Sequence, residues 1–275
     1  MIGIAFALTG TLLADNGLEH KAFVGLLERL SSAHGAKFDR ESATAAADRF
    51  IGALERRRDQ MAAILMDEAS RFLGERPPDA VLTARFRQIA TALIPHCTRV
   101  LPGARETLRR ISSLGIPCAV LTNGPSTIEQ HRAKWVGFEG PVLVAEDIGA
   151  WKPARAAFDA LVAVLALPPD RIWYVGNDPQ ADLDGASRAG LRTVWIRPAG
   201  ATYPPNLAAP DHAIERIDEV LAILSEPYTR SLLSLRYVLH NALAWRQGFF
   251  VPGVEYGLND PASLTHVLPR ESDEN

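Results

Sequence analysis

Lysine is scarce in this chain. Of 29 basic residues four are lysines (Lys21, Lys37, Lys134 and Lys152) and the rest are arginine. A lysine at a motif position therefore stands out against the composition. Cysteine is scarcer still: Cys97 and Cys118 cannot build a disulfide framework, so a cytoplasmic, reducing home is expected. There is no charge excess. The formal net charge is −3 over 275 residues, so neither a nucleic acid nor a membrane surface is an expected partner. No apolar run approaches the roughly 18 uninterrupted residues of a membrane span. The first residues carry no basic stretch ahead of their short apolar run, which reads as a buried strand and not as a signal peptide.

What is present is ordinary globular composition, 47% hydrophobic and 22% charged, enough for a large core or a core plus a smaller domain. Residues 2–8, IGIAFAL, form a short apolar run that ends in a Thr-Gly turn and predicts a buried strand. From Leu18 to Leu93 apolar residues recur every three or four positions among Ala, Leu, Glu and Arg, which predicts about four helices and no strands. Beyond Pro102 strands and helices alternate: CAVLT, PVLVAE, RIWYVGND and LRTVWI read as strands, with helical stretches between them, DLDGASRAG among these. That alternation predicts an α/β, Rossmann-like parallel sheet covered by helices, with ligands at the carboxyl ends of its strands. The expected division is residues 1–15 and 94–224 as the α/β core, 16–93 as an inserted helical cap and 225–275 as an extension. The extension predicts one amphipathic helix followed by an irregular aromatic stretch.

Four loops follow the predicted core strands: Thr9-Gly10-Thr11, Thr122-Asn123-Gly124, Lys152-Pro153, and Gly176-Asn177-Asp178-Pro179 with Asp182. Their order, spacing and flanks resemble the haloacid dehalogenase superfamily, in its helical-cap, phosphoglycolate-phosphatase-like branch. The resemblance covers about residues 2–224. It implies an attacking aspartate at position 7 and an acid–base aspartate at position 9, where this chain has Ala7 and Thr9. It further implies that Thr122 and Lys152 hold the oxygens of a phosphoryl group. Mg²⁺ would lie among the first aspartate and the acids of the fourth loop, where Asn177, Asp178 and Asp182 stand. A hard cation deprived of a carboxylate binds poorly, so no cofactor is expected and Mg²⁺ binding should be weak or lost.

The candidate site is therefore Thr9, Gly10, Thr11, His20, Thr122, Asn123, Lys152 and Asn177 for substrate, with Lys152, Asp178 and Asp182 in the chemistry. Most have a plainer reading, and Lys152 reads equally as a surface lysine. Thr122 is placed to cap a helix. Asn123 and Asn177 are turn formers, and Gly10 suits a turn. Asp178 can bond turn amides, Asp182 can cap a helix, and His20 reads equally as a half-buried helix residue. The loop amides of residues 9–11 offer an anion cradle.

A cradle without an attacking carboxylate can still stabilise a departing phosphate or sulfate. The leading expectation is thus a small-molecule phosphate or sulfate ester losing its anion by C–O cleavage, through elimination or ring closure. Non-hydrolytic superfamily members of natural-product pathways, including aziridine-forming ones, are similar in what they keep and lose. Its base is open among Asp178, Asp182, His20 and cap acids such as Asp48. Two other readings stay open: a catalytically inactive binding or regulatory subunit that recruits a protein partner through residues 225–275, and residual weak phosphatase activity.

Overall fold

The computed structural model describes residues 1–225. The helix, the aromatic stretch and the partner surface expected beyond residue 225 lie outside the described residues.

The short, fully buried run Gly3–Phe6 forms β1, flanked by β4 (Cys118–Thr122) and β6 (Ile172–Gly176). With β5 (Val142–Val144), β7 (Arg192–Ile196) and β8 (His212–Ile214) they make a six-stranded sheet in the order β5-β4-β1-β6-β7-β8. Every neighbouring pair is parallel. Strands buried on both faces need continuous apolar side chains, and they divide them. Ile4, Phe6, Val120 and Val175 pack on one face, Ala5, Ala7, Leu121 and Tyr174 on the other.

Between β2 (Leu13–Asp15) and its antiparallel partner β3 (Thr98–Val100) lie four α-helices. They are α1 (Leu18–Ala33), α2 (Arg40–Arg56), α3 (Met61–Leu73) and α4 (Asp79–Cys97). Asp39 caps α2 by accepting the Ser42 amide at 3.1 Å. The four helices bury a separate core in which Phe23 stacks on Phe50 at 4.6 Å and Phe50 meets Phe86 edge-on at 5.7 Å. No described helix is long and apolar enough to cross a membrane.

The sheet is covered by α5 (Ala104–Ser113), α6 (Ser126–Val136), α7 (Ala145–Ile148), α8 (Arg155–Leu165) and α9 (Gly185–Arg188). Three details depart from the sequence pattern. β5 stops at Val144 and turns into α7, so the predicted strand is cut short. The predicted helix after β6 begins as a wide π turn over Pro179–Asp184 before α9. β8, three residues ending a stretch rich in proline and alanine, carries no strand pattern of its own and exists by pairing with β7.

Candidate functional site

Three of the four loops singled out in the sequence leave the carboxyl ends of parallel strands, and the Lys152 loop follows α7 beyond β5. After β1 the chain turns through Ala7–Thr11. Gly10 sits at φ +80°, and a Cβ there would lie 2.4 Å from the Asn177 side chain, so glycine is needed both for the turn and for the close approach. The turn is tied internally: the Gly10 amide donates to the Leu13 carbonyl at 2.6 Å and the Thr11 amide to Leu8 at 3.4 Å. Two of the three amides expected to cradle an anion are thus spent inside the loop. The exposed Thr9 reaches the surface, whereas Thr11 is buried and donates its hydroxyl to Asn177 Oδ1 at 3.3 Å.

Lys152 is brought to the same edge and nearly enclosed, its side chain 6% exposed. Asn123 fixes its backbone on both sides, donating to the Lys152 carbonyl at 3.0 Å and accepting its amide at 2.9 Å. The ammonium donates to Asp182 Oδ1 at 2.7 Å and to the Tyr174 hydroxyl at 3.1 Å. Tyr174 stands on β6, and its hydroxyl reaches over β1 to within 3.3 Å of the Leu121 carbonyl on β4. The Lys152 ammonium therefore lies across the end of β1, on the face that carries the Ala5 and Ala7 methyls. Burial and the neighbouring Asp182 hold the Tyr174 phenol well above its ordinary range, so it stays protonated as a rigid post for the lysine.

The two acids of the fourth loop are committed. Asp182 accepts Lys152 on Oδ1 and the Asp178 amide on Oδ2 at 3.1 Å. Asp178, exposed, caps the π turn by accepting the Gln180 and Ala181 amides on Oδ1, both at 2.9 Å. Among the described residues no three His, Cys, Asp or Glu side chains are gathered so as to hold a metal ion. His20 is turned elsewhere. Its Nε2 lies 3.1 Å from Asp48 of α2, and it lines a groove of about 860 Å³ made wholly of α1, α2 and α4 residues. The helix–helix pair claims the imidazole that the sequence offered to the cleft.

Thr122 is at the edge as expected, but its hydroxyl is taken: it donates to Glu129 Oε2 at 2.7 Å. Glu129 opens a buried charge cluster that the sequence reading missed. Arg132, 3% exposed, reaches Glu129 Oε1 at 2.8 Å, Asp15 Oδ2 at 2.8 Å and Glu19 Oε1 at 3.1 Å. It thus ties α6 to the first loop's ribbon and to α1. The one available hint was the i,i+3 spacing of Glu129 and Arg132 behind the second loop, which reads equally as a surface helix pair.

Three carboxylates share one guanidinium. Burial, with Asp15 and Glu129 adding like charge, pushes the Glu19 carboxyl from 4.5 up to about 7. The fold therefore holds more protons than the unfolded chain between those values, and stability falls as pH rises through that window. Glu19→Gln is expected to leave stability little changed at pH 5 and to raise it by on the order of 2 kcal/mol at pH 8. Urea melts at the two pH values read this directly, and an equal effect at both would remove the explanation.

The sequence of a family, haloacid dehalogenase-like hydrolase, matches residues 3–190 of this chain. Ribulose-1,5-bisphosphate 5-phosphatase of Halopiger xanaduensis is 32% identical over 136 residues, 46% of this chain and 57% of that protein. The chain thus spans little more than half the length of that relative. Phosphoglycolate phosphatase of Pectobacterium atrosepticum is 25% identical over 234 residues, 81% of this chain and 92% of that one. The crystal structure of a HAD phosphatase from Thermococcus onnurineus shares the fold with a TM-score of 0.61, at 23% identity, over 82% of this chain and 98% of that one. With the parallel sheet and its four loops in place, the chain belongs to the haloacid dehalogenase-like hydrolase family.

Proposed function

We propose that this protein binds a phosphate or sulfate ester of a small molecule and promotes loss of the anion by breaking its C–O bond, with no aspartate attacking phosphorus. The observation that carries this reading is the end of β1. A buried ammonium is held across it on the face of Ala7, and the methyl of Ala7 can neither attack nor bind a cation. Thr9 stands at the acid–base position with a hydroxyl that does not exchange protons usefully near neutral pH. A sulfate leaving group needs no protonation, so Thr9 is no handicap to its departure.

The residues present do not fit a resident Mg²⁺. That ion demands close to octahedral oxygen coordination. Here both Asp182 oxygens, one Asp178 oxygen and the Asn177 oxygen already have partners. Lys152, held by Tyr174 and Asp182, stabilises the negative charge that grows on the departing group. Residues 16–93 act as the cap that excludes water and folds the substrate, so that its own amine or hydroxyl can displace the anion in an aziridine-type closure.

One observation favours a second reading, a binding or regulatory subunit without turnover. The Lys152 charge is balanced by Asp182 and the Thr122 proton is held by Glu129, an arrangement that serves packing as well as catalysis.

Calorimetric titration of sulfate with and without Mg²⁺ separates the two. The comparison is Lys152→Met combined with Asp182→Asn, which removes the ammonium without leaving a buried carboxylate unpaired. Metal-independent binding to the wild type, weakened at least about tenfold in the double variant, is expected for one charge-assisted contact. No binding to the wild type would hand the case to the second reading.

A further inference from the structure

The proposed ring closure must shed a proton; at the strand-end loops both Asp182 oxygens are bonded, and Asp178 is an exposed cap of its own turn. We propose that Thr122 and Glu129 form the outlet: Thr122 Oγ1 accepts the proton of the substrate's own nucleophile and passes its hydroxyl proton to Glu129. This rests on the reading above and adds to it the missing proton acceptor.

A threonine hydroxyl has one proton. Here that proton is donated to Glu129 Oε2 at 2.7 Å, so what Thr122 keeps for any other neighbour is lone pairs. Thr122 ends β4, and the next residue, Asn123, clasps the backbone of Lys152. The acceptor thus ends β4 one residue before the side chain that fixes the Lys152 backbone. Glu129 itself is 1% exposed. Gly124 closes over it so tightly that a Cβ there would lie 2.7–2.8 Å from its side-chain atoms. Substrate does not touch Glu129, which acts through Thr122.

Glu129 shares its one cation with two other carboxylates. Arg132 on its own helix holds Oε1, and through Arg132 it faces Asp15 at the end of β2 and Glu19 on α1. Taking up a proton leaves two carboxylates on the guanidinium in place of three and relieves like-charge crowding. In the step, the nucleophile's N–H or O–H proton moves to Thr122 Oγ1 while the Thr122 proton moves to Glu129. The freed electron pair forms the bond to carbon, and the C–O electrons leave with sulfate or phosphate. The proton ends on Glu129 and the charge on the anion.

Glu129→Gln tests this through hydrogen-bond direction. Because Arg132 donates to Oε1, the amide of the variant must place its NH₂ on Thr122, which turns the Thr122 proton toward the site. Sulfate should then bind about tenfold tighter than to the wild type at pH 8. Thr122→Val should erase the gap. Equal affinity in wild type and Glu129→Gln, or a gap that survives Thr122→Val, would overturn the relay. If no variant binds sulfate, the anion reading itself has failed, and the relay is read without it from Thr122→Cys. Iodoacetamide should alkylate that thiol with an apparent pKa that drops by about one unit or more when Glu129→Gln is added. No alkylation, or an unchanged pKa, would show that position 122 is closed to the site or uncoupled from Glu129.

Discussion

Ala7→Asp combined with Thr9→Asp is expected to give this protein a Mg²⁺-dependent phosphatase activity, read with p-nitrophenyl phosphate. The argument is one of retained parts. Position 7 lies on the face of β1 where Tyr174 and Asp182 already hold the Lys152 ammonium. A carboxylate there gains a cation partner and supplies a hard oxygen ligand that the loops now lack. An aspartate at position 9 would stand in an exposed loop, where it costs little stability. General acid–base help alone is worth about 10²–10⁴-fold, and a nucleophile opens a covalent route on top of that. The double variant should therefore exceed the wild type by at least about 10²-fold, and Ala7→Asp alone should fall between them. A double variant that folds but neither binds phosphate nor turns it over would mean that the remaining loops do not form an anion-holding site, which would remove the basis of the proposed function.

The readable part of this protein was what repeats along the chain. Apolar runs of strand length, helical spacing and the four loops each carry a local pattern, and the parallel sheet with its helical insert follows from them. What was not readable depends on partners far away in sequence. Asp15 passes for a loop acid ahead of a helix and Glu19 for an ordinary first-turn acid, and Glu129 and Arg132 for an exposed helix pair. Only the fold brings residues 113 and 117 positions apart onto one guanidinium. His20 was misplaced for the same reason, since nothing local says that Asp48 will face it. The loop amides failed differently: a tight turn consumes its own donors, and a Thr-Gly-Thr triplet does not say how many remain. β8 has too few residues to show a period and takes its conformation from β7.

The buried cluster also carries the largest expected effect on stability. Arg132→Ala removes the one cation that Asp15, Glu19 and Glu129 share, at 2.8, 3.1 and 2.8 Å. Arg132 and Glu129 are 3% and 1% exposed, so water cannot enter freely to take over the solvation. Breaking a buried pair by deleting one partner costs about 3–5 kcal/mol, because the charge left behind is uncompensated. Here three are left behind, and the loss at pH 8 should reach that range or unfold the protein outright. The pH dependence sets this apart from a simple packing defect. Without the guanidinium the Glu19 carboxyl, already raised to about 7 by burial, loses the one charge that holds it down. The variant then gains stability on acidification by taking up protons that the wild type, still holding Arg132, does not need. Urea melts should show a gap between wild type and Arg132→Ala that is widest at pH 8 and clearly narrower at pH 5. The arginine also joins α6 to α1 and the β2 ribbon, so hydrogen exchange should quicken first at the start of α1 and in α6, before the central strands β1 and β6. A loss below about 1 kcal/mol at pH 8, or one that does not change with pH, would mean that the three carboxyls are already neutral in the wild type, and the charge relay through Thr122 would lose the crowding that drives it.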